Sequence, residues 1–405
     1  MSRKHRNRNL SEKISLEIPL KIEKLAPTGQ GIGTLESGKK IFLWNTLPGE
    51  KVLSYLKIKE KSSFEEGIAE TFEKTASSRI VPKDAQYLAT SPWQIMTDDF
   101  EAEQKTAIMT ELFHNLWHEK IPFHQSPNTW HYRNKMEYSL YYDFETKKIE
   151  LAIHPRGSHG KMPIKNSSIE RPEIFEAAQK IVEDLNRTGT EARNYQSLLL
   201  RSNQNGEVSG GLFEKRKPHP TFKNLEDRIL DQTYTYSPNG FFQINLKTYE
   251  LVLTRIKDLI KKTPAKKVLD LYSGVGTIGL SVARDRNLTL VEVDKSAFKE
   301  LEANCKSIPT ATPILAKSED VLDYIEPDEI VTLDPPRAGC DKKLIEQLIE
   351  IKPKQIIYLS CNPITQVRDL ELLINSGAKL NSLEAFNFFP HTPHIESLAC
   401  LSFTS

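Results

Sequence analysis

Two short segments near the C-terminus carry the residue types most suited to covalent chemistry. The first is YLSCNP at 358–363, in which Cys361 follows a predicted strand and precedes Asn362-Pro363. A free cysteine is commonly just a small buried apolar side chain. At the functional edge of a cofactor-binding sheet it is instead placed as a nucleophile, and a nearby cationic sulfonium would favour its thiolate. The second is FPHTPHIESLACL at 389–401, where His391, His394 and Glu396 fall within six residues. This is not the HExxH helix of a zinc peptidase, so no metal is expected. Glu396 is expected to act as a general acid or base, with the histidines orienting it.

Two further segments could hold a cofactor. VLDLYSGVGTIG at 268–279 has an acidic strand end at Asp270, and Gly274 and Gly276 allow a tight turn before a helix. The spacing also fits a dinucleotide fingerprint, which is weak evidence alone. The next strand ends at Glu292, where a carboxylate can accept hydrogen bonds from both ribose hydroxyls of an adenosine. Asp270 suits an amino-acid ammonium better than a pyrophosphate, which favours S-adenosylmethionine over NAD; a ligand-free structural turn is the plain alternative. TLDPPRAG at 332–339 ends another strand, with Asp334 expected in the crevice and two prolines stiffening the loop.

The elements that must position these residues form three regions. Residues 14–22 alternate apolar and polar side chains, and five short strands with Gly/Pro turns follow one another to about residue 72. That pattern predicts a small β-barrel of the kind that grips nucleic-acid backbones, over 1–75. Residues 76–235 read as an α+β region that binds RNA, with an amphipathic helix over 98–120 expected to pack on the catalytic domain. From 236 to 405, strands and helices alternate, which predicts a Rossmann-like doubly wound parallel sheet and an α/β fold class.

The 405 residues hold 55 Lys+Arg and 54 Asp+Glu, a net charge of +1. Residues 1–62 carry 13 Lys+Arg against 6 Asp+Glu, the charge asymmetry of a polyanion-binding module or of an ordinary solvated surface. No apolar run is long enough for a membrane span, and MSRKHRNRN is followed by no signal-peptide apolar region. The four cysteines, Cys305, Cys340, Cys361 and Cys400, form no CxxC pair, so a reducing, cytoplasmic location is expected.

Taken together, SCNP, FPHTPHIE, DPPR and the glycine turn resemble the RNA uracil-5-methyltransferase family over nearly the whole chain. The first 75 residues are similar to that family's TRAM barrel, and YRNK at 132–135 and RGSH at 156–159 to its central domain. The resemblance implies a class I methyltransferase that takes S-adenosylmethionine and methylates C5 of uridine in RNA. Cys361 would add to C6 and Glu396 would remove the C5 proton. By the same resemblance Gln243, Tyr272, Gly274, Gly276, Glu292 and Asp334 hold the cofactor, and Arg337 and His394 meet the substrate. The barrel favours 23S ribosomal RNA over transfer RNA, bound by a monomer. Many relatives ligate a [4Fe–4S] cluster, but Asp84, Thr90, Trp93 and Ser167 stand at the ligand positions here, so no cluster is expected.

Two other readings compete. An amine-directed RNA or protein methyltransferase would use the DPPR loop and need no cysteine. A non-catalytic RNA-binding protein would tolerate damage to the Cys/Glu pair, which is intact. A cytosine-5 methyltransferase normally places its Cys after Pro or Thr, not in Ser-Cys-Asn-Pro.

Overall fold

The computed structural model describes residues 12–158 and 160–403, so the basic start of the chain and His159 of the RGSH segment lie outside the described residues. The chain divides into two compact units. One holds the residues up to Ile108, His154–Gly160 and His391–Pro393; the other holds Met109–Ile153, Lys161–Pro390 and the remainder from His394.

The first unit is built on six strands: β1 (Glu12–Lys21), β2 (Lys24–Leu25), β3 (Gly31–Thr34), β4 (Lys40–Trp44), β5 (Lys51–Glu60) and β6 (Phe64–Lys74). They pair in the order β1-β5-β6-β4-β3-β2. Leu20, Ile22, Ile41, Leu43, Val52, Tyr55 and Ala69 form the buried core of this unit, while of the alternating residues at 14–22 Ile14 and Leu16 are half-buried and Ile18 is exposed. The sheet itself is not basic. Residues 12–75 contain ten Lys+Arg and ten Asp+Glu, and the lysines pair with acids, as in Lys13–Glu70, Lys39–Glu60, Lys51–Glu73 and Lys57–Glu12. The excess comes from Arg3, Lys4, Arg6 and Arg8, outside the described residues.

Beyond β6 come a short helix α1 (Tyr87–Thr90) and α2 (Asp98–Phe113). The latter stops seven residues before the expected helix over 98–120 does, where the Leu116 and Trp117 N–H groups both turn back onto the Phe113 carbonyl. The positions where relatives carry iron–sulfur ligands do not fit that group. Asp84 is buried and accepts from Gln94 Nε2 at 2.8 Å. Trp93 is buried with its indole N–H on the Gly29 carbonyl at 3.0 Å. Neither Thr90 nor Ser167 offers a thiolate either. The guanidinium of Arg156, in the RGSH segment, lies 3.7 Å from the centre of the Trp44 ring.

The second unit holds an edge strand β7 (Phe123–His124), then β8 (Lys135–Asp143), β9 (Lys148–Ile153), β10 (Met162–Pro163), helix α3 (Pro172–Thr188), β11 (Tyr195–Ser202) and β12 (Val208–Glu214). Strands β8 to β12 form one sheet in the order β10-β9-β8-β11-β12. A hairpin follows, β13 (Leu225–Ile229) with β14 (Gln232–Tyr236). Its Leu225, Ile229, Tyr234 and Tyr236 share the core of the next sheet, so that core begins before residue 236.

The remainder alternates as the sequence predicts: α4 (Leu246–Lys261), β15 (Lys267–Leu271), α5 (Thr277–Val282), β16 (Asn287–Glu292), α6 (Lys295–Cys305), β17 (Ala311–Leu315), β18 (Glu329–Leu333), α7 (Lys342–Ile351), β19 (Gln355–Ser360), α8 (Pro363–Asn375), β20 (Ala378–Phe386) and β21 (Glu396–Phe403). The strand order is β17-β16-β15-β18-β19-β21-β20-β7. Strands β15 to β19 are parallel, and β21 is inserted antiparallel between β19 and β20. Helix starts follow local chemistry: Asn245, Asp294 and Asp341 cap α4, α6 and α7 with their side chains, and Pro363 occupies the first turn of α8.

Candidate active site

A cavity of about 1160 Å³ opens in the second unit beside the carboxyl ends of β15, β16, β18 and β19, where open α/β sheets bind ligands. Nine of the residues expected at the site line it: Gln243, Tyr272, Gly274, Glu292, Asp334, Arg337, Cys361, His394 and Glu396. Gly276 does not, and supports the turn from behind. With φ at +90°, its added Cβ would stand 2.7 Å from Leu301 Cδ1 and 2.8 Å from Leu280 Cδ1.

Cys361 and Glu396 meet because of strand pairing. Ser360, at the end of β19, is in register with Ser397, near the start of antiparallel β21. The residue after one and the residue before the other therefore emerge at the same sheet edge. Gln366 fixes this edge, donating to the Tyr358 carbonyl at 2.9 Å and accepting from Ser397 Oγ at 2.6 Å. Asn362 Nδ2 donates to the Arg337 carbonyl at 2.8 Å, and Thr365 Oγ1 reaches the same oxygen at 3.2 Å. The SCNP and DPPR loops are thus tied together. Gly339 is needed there: at φ +82° an added Cβ would meet Arg368 Nη2 at 2.5 Å and Asp369 Oδ2 at 2.7 Å.

The electrostatics are those of carboxyl groups crowded away from water. Glu396 is buried, and burial raises its pKa well above the usual carboxylate range, with Asp334 adding to the shift and Arg337 opposing it. Burial, with Asp270 behind it, pushes Asp334 to about 7. Burial pushes the Cys361 thiol up to about 11, and the charges of Glu396 and Asp334 add to this while Arg337 lowers it. In the ligand-free site the thiol is therefore neutral at pH 7. A cation in the cavity would shift all three groups toward their ionised forms.

Asp270 does not serve the role expected of it. It is fully buried and absent from the cavity wall. It accepts from Thr332 Oγ1 at 2.5 Å and from the Gly279 N–H at 3.1 Å. It pins the glycine turn to β18 rather than waiting for an ammonium. Asp334, just past the end of β18, lines the cavity instead. Glu292 is also partly engaged: its carboxylate accepts from the N–H groups of Gly274, Val293 and Asp294 at 2.8, 2.8 and 2.6 Å. Of about four lone-pair sites on a carboxylate, this leaves about one for a further donor, where the sequence predicts two. Asp294, Ala297, Lys317 and Glu319 extend the wall beyond it.

The two histidines part company. His394 lines the cavity with its ring edge toward Phe389, centroids 5.7 Å apart. His391 belongs to the first unit, where its backbone N–H donates to the Glu101 carboxylate at 2.9 Å. Its imidazole is flanked by Asp98 and Glu101 and does not line the cavity that Glu396 lines. Asp98, Glu101 and His391 bring three potential metal-ligand atoms within 4.8 Å of one another, but the ammonium of Lys105 sits 2.8 Å from Glu101 and supplies a positive charge there.

Phe241 was not singled out in the sequence, yet it is 71% exposed at the cavity. The signal was a doubled aromatic in FFQIN, of which only Phe242 goes into the core, stacked 3.9 Å from Tyr236.

Comparisons with known proteins place the chain among RNA methyltransferases in sequence similarity. Residues 318–403, which hold Asp334, Cys361 and Glu396, match the tRNA (uracil-5-)-methyltransferase family model. An RNA methyltransferase of Enterococcus faecalis is 27% identical, covering 95% of this chain and 97% of that protein. One of Lactobacillus johnsonii is 28% identical, covering 96% and 98%. The crystal structure of Pyrococcus abyssi tRNA (uracil-54, C5)-methyltransferase in complex with S-adenosyl-L-homocysteine superposes with a TM-score of 0.76 at 22% identity. It covers 95% of this chain and 100% of that one, which establishes the fold.

Proposed function

We propose that this chain, a member of the RNA uracil-5-methyltransferase family, transfers a methyl group from S-adenosylmethionine to C5 of a uridine in RNA. The observation that carries the reading is the pairing of β19 with β21, which sets Cys361 and Glu396 on one cavity beside Asp334. C5 of uracil is a poor nucleophile. Addition of the Cys361 thiolate at C6 turns the ring into an enolate, nucleophilic at C5. The enolate takes the methyl group, Glu396 removes the C5 proton, and the electrons of that C–H bond reform the C5–C6 double bond as the Cys361 sulfur leaves. The target base must be extruded from its stack to enter, at a cost of a few kcal/mol.

The residues present fit the cofactor, which supplies an electrophilic methyl on a cationic sulfur. Glu292 holds a ribose hydroxyl, Gly274 and Gly276 permit close approach, and Gln243, Tyr272 and Asp334 line the remainder of its seat. Arg337 and His394 face the substrate. The crowded carboxyl groups favour a cation in the cavity, and its arrival helps to ionise Cys361 and Glu396 together.

For the RNA target, the resemblance of the N-terminal module favours 23S ribosomal RNA. Transfer RNA is the second reading, favoured by the names of the matching family and of the Pyrococcus enzyme. The enzyme works as a cytoplasmic monomer, a location in keeping with its four free cysteines. Among the described residues no helix is long and apolar enough to cross a membrane.

The test is covalent trapping. With S-adenosylmethionine and RNA in which 5-fluorouridine replaces uridine, the C5 fluorine cannot leave as a proton, so a denaturation-resistant adduct accumulates. The adduct is expected to disappear in Cys361→Ala, and sequencing the bound RNA identifies the target. In Glu396→Gln, ordinary RNA should accumulate the same adduct. Methyl transfer that survives Cys361→Ala would instead establish the amine-methyltransferase reading.

A further inference from the structure

Arg133 lines the cavity, and two further cations, Lys135 and Arg201, gather beside it on the β8–β12 sheet. Arg133 precedes β8 by two residues, Lys135 begins it, and Arg201 of β11 is in register with Lys135. Residues two apart along an extended chain and partners across a ladder share a face, so backbone pairing gathers the three charges. Arg201 is fully buried. Among the described residues, none of the three makes an ion pair.

Two of the three are committed to the backbone. The Lys135 ammonium donates to the Asn239 and Gly240 carbonyls, each at 3.0 Å. Arg201 donates to the Gly240 carbonyl at 3.2 Å and to that of Phe242. They hold the segment that carries Phe241 and Gln243, but carbonyls are neutral and leave the charge uncompensated. Burial, together with the charges of Arg201 and Arg133 and against that of Glu137, lowers the pKa of Lys135 to about 8. Asp227 and Glu300 offset part of the charge on Arg201.

Arg133 is different. Its Nε donates to the Lys135 carbonyl at 3.0 Å, and its two terminal amino groups make no hydrogen bond among the described residues. It is half-buried, lines the cavity, and shares that wall with the exposed Phe241. A guanidinium fixed at Nε with both terminal nitrogens available matches two oxygens of one phosphate.

We propose that Arg133, backed by Lys135 and Arg201, binds a backbone phosphodiester of the RNA strand beside the uridine in the cavity. This rests on the uridine-methylation reading. The phosphate supplies the direct ion pair that none of the three cations makes among the described residues. It also anchors the strand at a fixed distance from the cavity, where extrusion of the base requires the backbone to be held.

The test measures binding rather than turnover. A fluorescein-labelled 12-mer oligouridylate is titrated by anisotropy against wild-type protein, Arg133→Ala and Arg133→Lys over a series of KCl concentrations. S-adenosylhomocysteine binding is measured by calorimetry on the same samples. Arg133→Ala is expected to weaken RNA binding about tenfold at low salt and to reduce the slope of log K against log [KCl] by about 0.7, one single-strand phosphate contact. S-adenosylhomocysteine affinity should stay within about twofold, which also shows that the variant is folded. Arg133→Lys should keep the slope and lose part of the affinity. Unchanged RNA affinity and slope in Arg133→Ala would overturn the proposal. So would a loss of S-adenosylhomocysteine affinity in Arg133→Ala with Arg133→Lys still binding it, since Arg133 would then serve the cofactor carboxylate. Wild-type protein that fails to bind the oligouridylate would count against the uridine reading itself, and this inference would fall with it.

Discussion

The thiol of Cys361 starts from an unfavourable position, raised to about 11 by burial and by the carboxyl groups beside it. Its reactivity in the ligand-free protein should therefore rise about tenfold per pH unit from 7 upward, flattening only near 11. Above pH 7 Asp334 is ionised, and its negative charge disfavours the thiolate. Asp334→Asn is expected to lower the Cys361 pKa and to accelerate alkylation by iodoacetamide at pH 8, read by peptide mapping that separates Cys361 from the buried Cys340. Equal rates in the variant and the wild type would show that Asp334 does not act on the thiol. On the proposed function, a cationic cofactor in the cavity would favour the Cys361 thiolate that the neighbouring carboxylates disfavour.

One carboxylate adds side-chain contacts from β20 to α4 and β7, beyond the backbone ladders. Glu384 accepts from Arg255 of α4 at 2.7 Å and from His124 of β7 at 2.7 Å. These contacts outweigh burial and hold its pKa down at about 2. A carboxylate depressed in the folded state stabilises above its unfolded pKa and loses that contribution as pH falls through the folded value. Glu384→Gln should cost about 1–3 kcal/mol at pH 7 and should lose part of the stability difference between pH 5 and pH 2 seen in the wild type, measured by urea unfolding. The position of the strand matters because β20 flanks β21, which begins at Glu396. At the glycine turn the constraint is steric. Gly276→Ala combines a left-handed φ with contacts of 2.7 and 2.8 Å to two leucines, and should lower thermal stability together with cofactor affinity.

Taken as a whole, the protein buries more carboxyl groups with raised pKa values than with lowered ones. Burial lifts Asp270 to about 6 and Asp334, Glu300 and Glu329 to about 7. A raised acid favours the protonated folded state, so its contribution is complete below the unfolded pKa near 4 and is lost as pH rises through the folded value. The ligand-free protein is therefore expected to lose thermal stability between about pH 4 and pH 7. S-adenosylmethionine should diminish the loss, because its positive charge stabilises the ionised carboxylates at the cavity. Thermal melts at pH 5 and pH 8, with and without the cofactor, check this; a melting temperature that rises over that interval in the free protein would contradict it.

Much of this was legible in the chain because it depends on local order. The alternation from VLDLY to QIIYLS fixes a parallel sheet, and the residue after each strand must then face one edge, which locates Tyr272, Asp334 and Cys361 without knowledge of any contact. The doubled glycines specify a turn whatever surrounds them. What required the folded chain was long-range pairing and the competition for hydrogen bonds. Nothing local shows that β21 enters antiparallel beside β19, yet that register is what brings Glu396 to Cys361, 35 positions away. Nothing local shows that Asp270 is taken by Gly279 and Thr332, that His391 and His394 separate into different units, or that the basic excess of the first module lies in its first eleven residues rather than on the sheet. The convergence of Arg133, Lys135 and Arg201 is of the same kind. Two of them are neighbours in the chain, but the third joins only through a ladder, because charges are gathered by backbone register and not by their order in the sequence.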